Sequence, residues 1–115
     1  MLEFIESRAF TSRLLRVAGA HADEVLLAIQ SDLLKNPERG SRIEGLSGVR
    51  KARTPDPSRG KGKRGGFRYL YFYFVSDEQI ALLFLYDKNE KEDLTKDDKK
   101  SIAILVDEAV SARRK

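Results

Sequence analysis

Apolar residues recur at helical spacing in three parts of the chain. The first covers residues 7–19. The second covers residues 22–35 and ends before Pro37, because the residue preceding a proline avoids the helical region. The third begins at Thr95, which resembles a capping box together with Asp98, and continues almost to the end of the chain. Packing against a sheet would account for the apolar stripe of each helix.

Alternating apolar and polar positions predict four strands. Leu2–Glu6 is the first and Val49–Thr54 the second. The strongest is Gly66–Val75, and Ile80–Tyr86 follows as its antiparallel return. Because Ile80–Tyr86 is apolar at almost every position, it is expected to be central in the sheet. Residues 38–48 contain three glycines and are predicted to be a connection.

The two faces of the strongest strand differ in chemistry. Leu70, Phe72 and Phe74 form an apolar face, which we expect to meet the helices. Tyr69 and Tyr71 lie on the other face, which we expect to be half-exposed. Two interpretations of these tyrosines stay open: they stack on the bases of single-stranded RNA, or they form a packed surface under a helix of a partner protein.

Length and composition restrict the possible functions. The element order over 115 residues predicts one α+β domain with an antiparallel sheet, two N-terminal helices on one face and a C-terminal helix near the active edge. The absence of cysteine and the presence of one histidine argue against disulfides, thiolate chemistry and a zinc site. The N-terminus lacks the pattern of a signal peptide, and the longest apolar run is too short to cross a bilayer. We therefore expect a cytoplasmic protein without a membrane partner.

Positive charge is concentrated in residues 50–68, RKARTPDPSRGKGKRGGFR. This segment has eight basic residues and one acid, Asp56, a charge of +7, whereas the whole chain is +4, so the remaining residues sum to −3. A basic loop rich in proline and glycine, held between two strands, suits a phosphate backbone. The alternative is a solvated loop that binds nothing.

Cleavage of RNA by its own 2′-hydroxyl needs a base, stabilisation of charge on phosphorus and a proton for the leaving oxygen. Histidine pairs often move these protons, but the single His21 lies in a predicted turn remote from the basic loop. A lysine surrounded by cations has its pKa lowered, whereas arginine stays charged and clamps phosphate. We therefore assign proton transfer to Lys61 and Lys63, and the scissile phosphate to Arg64 and Arg68. Two further arginines are expected to follow the RNA backbone: Arg50 and Arg53.

Several of these segments together resemble the RelE superfamily of toxins. They are the basic strand Arg50–Thr54, the loop GKGKRGG, the strand FRYLYFYF and the segment LYDKNEKEDLT before the last helix. Within the superfamily the chain is most similar to the HigB-like branch of type II toxin–antitoxin systems, over about residues 49–104. The resemblance implies a ribosome-dependent mRNA endonuclease without metal or organic cofactor, silenced by a cognate antitoxin protein.

The resemblance also assigns a role to the turn after the last strand. In RelE-like toxins this turn supplies basic active-site residues, and Lys88 and Lys91 occupy matching positions. Several relatives have a tyrosine where this chain has Leu94-Thr95. That departure leaves the proton donor open, with Tyr86 as an alternative.

For three residues near the site, a structural role is an alternative to a functional one. Arg68 is either a ligand of the phosphate or a residue at the edge of the core paired with a carboxylate. We expect Glu90 and Asp93 to be partners of nearby lysines and not catalytic groups.

A second function is compatible with the same fold. RelE-like folds include ParE-type toxins, which poison DNA gyrase without cutting nucleic acid, so the fold alone does not decide the activity. The alternative is therefore a toxin of that kind, or a regulatory domain that binds nucleic acid. The lysine-rich loop and the Lys-Asn-Glu-Lys turn favour the nuclease.

Overall fold

Five strands form one sheet with helices on both faces. The computed structural model describes residues 2–59, 66–91 and 93–112. The sheet order is β1-β5-β4-β3-β2, which confirms the predicted α+β fold. Within the described ranges, no helix is long and apolar enough to cross a membrane. The elements follow in this order: β1 (Glu3–Glu6), α1 (Arg8–Ala18), α2 (Ala22–Lys35), β2 (Ser41–Arg42), β3 (Val49–Thr54), β4 (Phe67–Phe74), β5 (Gln79–Asp87) and α3 (Lys96–Ala112).

The sheet is mixed and not antiparallel throughout, which corrects the prediction. Strands β2, β3, β4 and β5 pair antiparallel in that order. Strand β1 runs parallel to β5, with Glu3 opposite Gln79. No hairpin joins these two strands, because two helices and three strands separate them in the chain, so their pairing is free to be parallel. The two-residue β2 lies in the predicted connection and is too short to show alternation.

The two faces of the sheet are covered by different helices. Helices α1 and α2 pack on the face that carries Phe67, Tyr69 and Tyr71, all of which are completely buried. Helix α3 packs on the opposite face, against a layer that includes Leu70 and Phe74. The prediction had the faces of β4 reversed. Alternation shows which residues share a face, but it does not show which helix covers that face.

The buried tyrosine face is possible because its hydroxyls have partners. The Tyr69 hydroxyl accepts a hydrogen bond from Arg39 at 3.1 Å, and the Tyr71 hydroxyl accepts one from the Gly40 N–H at 3.0 Å. Burial raises the pKa of Tyr69 to about 12 and also raises that of Tyr71. With these bonds made, the tyrosines behave as large core residues.

A register shift in β5 changes which of its residues face α3. Leu70 lies opposite Phe84 and Tyr71 lies opposite Leu82, so Leu83 has no partner in β4. Before this β-bulge, even-numbered residues of β5 face α1 and α2; after it, they face α3. The bulge therefore places Phe84 and Tyr86 on the α3 face.

We predict that Gly66→Ala severely destabilises the fold. A Cβ at Gly66 would stand 2.0 Å from the Thr54 carbonyl oxygen and 2.8 Å from the Asp56 nitrogen, and neither backbone atom can move without disturbing β3. We expect a loss of about 3 kcal/mol or more in urea denaturation. Gly45→Ala is the control: φ is +85° there but the space is open, so only the backbone cost of about 1 kcal/mol applies. Equal losses in the two variants would contradict the close approach.

Candidate nucleic-acid interface

Two arginines and a tyrosine form a row across three neighbouring strands. Arg53 of β3 lies directly opposite Arg68 of β4, and Arg68 lies directly opposite Tyr86 of β5. Directly opposite residues point to the same face of a sheet, with Cβ atoms about 5 Å apart. The next row on this face contains Lys51, opposite Leu70. The cations therefore converge on the α3 face, at the end of the sheet where β4 begins and β5 ends.

Arg53 and Arg68 carry like charges that disfavour each other, whereas Asp87 acts on Arg68 in the opposite direction. Arg53 is exposed and Arg68 is half-buried. Burial lowers the pKa of Arg68, and the charge of Arg53 lowers it further. Like charges placed directly opposite each other weaken strand pairing. A phosphate between the two guanidinium groups would remove this repulsion and accept hydrogen bonds from both.

Tyr86 brings a hydroxyl to this row. Its side chain is fully buried, and its hydroxyl has no hydrogen-bond partner among the described residues. Burial raises the pKa of Tyr86 against the opposing effect of Arg68, which keeps the hydroxyl protonated. A buried hydroxyl without a partner costs free energy, so its retention suggests a use outside folding.

The turn after β5 is fixed by a network of side chains. Glu90 accepts a hydrogen bond from the Asp87 N–H at 3.0 Å and forms an ion pair with Arg13 of α1. Lys91 donates to both carboxylate oxygens of Asp98, at 3.0 and 2.9 Å, and its Nζ lies 5.9 Å from the centre of the Phe84 ring. The position of Lys91 beside the site is therefore held by an anion and an aromatic face.

Acidic residues just before α3 and in its first turn contact the site lysines. Asp93 lies 3.8 Å from the Lys51 Nζ. Asp98 and Thr95 form the predicted capping box: the Thr95 N–H donates to Asp98 at 2.9 Å, and the Asp98 N–H donates to the Thr95 hydroxyl at 3.0 Å. Burial alone would raise the pKa of Asp98, but hydrogen bonds from Thr95 and Lys91 bring it below its usual value.

Both ends of the basic loop are anchored at the same edge of the sheet. Before the loop, Arg59 lies 3.2 Å from Asp56 and forms an ion pair with Asp87 at the end of β5. The hydrogen bond to Asp87 raises the pKa of Arg59. After the loop, the backbone of Gly66 packs against that of Thr54. Residues 60–65 are outside the described residues, and so are three of the predicted site residues: Lys61, Lys63 and Arg64.

The fold is similar to that of solved toxin structures, although no protein-family model matches the sequence. The isolated RelE toxin of E. coli aligns with a TM-score of 0.55 at 10% identity, covering 97% of this chain and 98% of that chain. A variant of the same toxin with two arginines replaced by alanine, in the free state, gives 0.54 at 12% identity, with 97% of each chain covered. The chain has the RelE fold. At these identities the likeness concerns the fold alone, and the HigB-like branch stays a prediction.

On the RelE fold, some of the predicted site residues lie near the row of Arg53, Arg68 and Tyr86, and others lie elsewhere. Arg53, Arg68 and Lys91 lie on or beside the α3 face, and Lys88 is exposed in the turn after β5. Lys51 was missed as a site residue, although its alternation with Arg53 in β3 placed both on one face. Of the predicted partners of lysines, Asp93 contacts Lys51 as expected.

Three predicted RNA-binding residues lie elsewhere, which corrects their assignment. Tyr69 and Tyr71 are completely buried under α1 and α2, so no base can stack on them in this structure. Arg50 is directed to the opposite side of β3 from Arg53. It donates to the carbonyl oxygens of Glu38 and Gly40 at 3.0 and 2.7 Å and is 15% exposed. Its role is to hold the segment before β2 against the sheet.

No metal site is apparent within the described ranges, where no three His, Asp or Glu side chains come together as ligands. The polar groups of the row and its surroundings are mainly cationic. Such a set suits the binding of an anion, and the planar guanidinium group of arginine matches phosphate or carboxylate oxygens in shape.

We predict opposite stability effects for two tyrosine-to-phenylalanine variants. Tyr71→Phe leaves the buried Gly40 N–H without its acceptor and should cost about 1 to 3 kcal/mol. Tyr86→Phe removes a buried hydroxyl that has no partner among the described residues, so stability should stay the same or rise. Urea denaturation of both variants measures the difference. A loss in Tyr86→Phe as large as that in Tyr71→Phe would show that the Tyr86 hydroxyl serves the fold.

Proposed function

We propose that this protein is the toxin of a type II toxin–antitoxin system and cleaves mRNA on the ribosome. One observation carries the proposal: Arg53 and Arg68 lie directly opposite each other at one end of the sheet, and Tyr86 lies opposite Arg68 in the same row. The RelE fold supports it, since the matched E. coli protein is a toxin. A HigB-like member with a cognate antitoxin is the form that the sequence resemblance favours.

The residues of the interface suit cleavage by the RNA's own 2′-hydroxyl. Arg53 and Arg68 would grip the non-bridging oxygens of the scissile phosphate and stabilise the added charge in the transition state. A lysine amine would take the 2′-hydroxyl proton, and Lys51 is the candidate in the described part of the chain. Two candidates from the sequence lie outside it: Lys61 and Lys63.

The leaving group needs a proton as the bond from phosphorus to the 5′-oxygen breaks. Tyr86 is our candidate donor, because its raised pKa keeps it protonated and it lies opposite Arg68. The products would be a 2′,3′-cyclic phosphate and a free 5′-hydroxyl. Arg64, outside the described residues, the exposed Lys88 and the half-buried Lys91 would contact neighbouring phosphates of the message.

Primer extension on a translated message tests the function. We expect the wild-type protein to produce discrete cuts, and Tyr86→Phe to slow cutting by about 10²-fold or more, the usual worth of a general acid, while ribosome binding is retained. An intact message together with stalled DNA replication would support a gyrase poison. An intact message with normal replication would support a protein that binds nucleic acid without cutting it.

We predict a matched difference in binding between two exposed arginines. Arg53→Gln removes a proposed phosphate contact. Arg42→Gln removes the same charge from β2, where register with Arg50 places it on the opposite face. Arg53→Gln should weaken ribosome or RNA binding by about 10- to 100-fold and reduce the slope of log affinity against log salt by about 1.

Arg42→Gln should leave affinity and slope nearly unchanged. Both side chains are exposed, so each change should alter stability by no more than about 0.5 kcal/mol. Equal loss of binding in the two variants would mean that the α3 face is not the RNA surface and that only total charge matters.

A further inference from the structure

Two lysines of the proposed site already contact carboxylates of the same chain. Lys91 donates two hydrogen bonds to Asp98, and Lys51 is 3.8 Å from Asp93. Asp93 lies in the short segment that joins β5 to α3, and Asp98 lies in the first turn of α3. A carboxylate and a phosphate oxygen compete for the same donors, because each is an anionic acceptor of similar geometry.

Asp98 is held in place by its own helix. As the capping residue of the box with Thr95, it accepts hydrogen bonds from the Thr95 N–H and from Lys91 on the same oxygen atom, both at 2.9 Å. The positive end of the α3 dipole favours an anion at this position. The Asp98 carboxylate therefore stays bonded to Lys91 unless the Lys91 side chain or the first turn of α3 moves. Asp93 is different, since its side chain is 82% exposed and its contact with Lys51 is well screened.

The same segment closes the site above Tyr86. Leu94 and Ile102 are buried in one cluster with Tyr86, whose hydroxyl is inaccessible and has no partner among the described residues. A hydroxyl buried beside Arg68 and sealed by the start of α3 cannot meet a phosphate in this arrangement. Residues 93–98 therefore close the described part of the site.

We propose that residues 93–98 form an autoinhibitory contact, in which Asp93 and Asp98 hold Lys51 and Lys91 until a bound RNA displaces them. This inference rests on the proposed function and adds to it a closed free state. Replacement frees both lysines and lets residues 93–98 lift away from Tyr86. The Lys51–Asp93 pair is exposed at Asp93 and contributes little to stability. The partly buried Lys91–Asp98 pair can be exchanged while Asp98 keeps its hydrogen bond from the Thr95 N–H, so α3 need not unfold.

Neutralising one acid tests the proposal. Asp98→Asn removes the charge that holds Lys91 but keeps an oxygen that can accept from the Thr95 N–H, so the cap is preserved. The control is Asp97→Asn, which makes the same change of net charge one residue away. Asp97 is exposed and forms no ion pair within the described ranges. Fluorescence anisotropy with a short labelled single-stranded RNA at low salt measures affinity for the full-length protein.

Asp98→Asn should bind the RNA about 3- to 10-fold more tightly than wild type, and Asp97→Asn should differ by less than about twofold. Asp93→Asn, outside the helix and its cap, should show a smaller gain of about twofold, so the test does not depend on the cap surviving in Asp98→Asn. Equal affinities of Asp98→Asn and Asp97→Asn would overturn the autoinhibitory contact. Failure of the proposed function has a different result: the wild-type protein and all three variants would bind no RNA and produce no cuts.

Discussion

The bulge at Leu83 decides which residues of β5 can reach the cationic row. In a strand with regular alternation, Ile80, Leu82 and Tyr86 would all face α1 and α2. The extra residue reverses the alternation, so Ile80 and Leu82 stay in the core under those helices while Tyr86 lies opposite Arg68 on the other face. Without that reversal, the row of Arg53 and Arg68 would end at an apolar side chain. Bulges commonly occur where a side chain must be re-aimed near a functional site.

The chemistry of the two faces follows from how their polar groups are satisfied. On the α1 and α2 face, Tyr69 and Tyr71 bury their rings and find partners in Arg39 and Gly40. Their hydroxyls therefore stabilise the core and are not available to a ligand. On the α3 face, the Tyr86 hydroxyl has no such partner in the described part of the chain. Tyrosine is thus a structural residue on one face of the sheet and a candidate functional residue on the other.

The sequence predicted the elements well because each has a local cause. The helix that ends before Pro37, the capping box of Thr95 and Asp98, and the alternation in β4 are visible in a few consecutive residues. The parallel pairing of β1, the helices that cover each face and the bulge depend on contacts between distant segments, and no local pattern carries them. For the same reason, alternation placed Lys51 beside Arg53 but gave no sign that Arg50 binds the segment before β2. The assignment of Tyr69 and Tyr71 to RNA was wrong because a hydroxyl-bearing face was taken as an exposed one.

The concentration of positive charge explains why carboxylates lie beside the cations of the site. Residues 50–68 carry +7 in a chain of +4, and the described cations of this region lie at one end of the sheet. Such a concentration of like charge raises the free energy of the compact state. Asp56 and Asp87 neutralise Arg59 at the base of the loop, and Asp98 neutralises Lys91 at the start of α3. No ion pair is seen for Arg53 within the described ranges. Arg53 lies directly opposite Arg68, where we propose the scissile phosphate to bind, so its charge is available to attract an anion there.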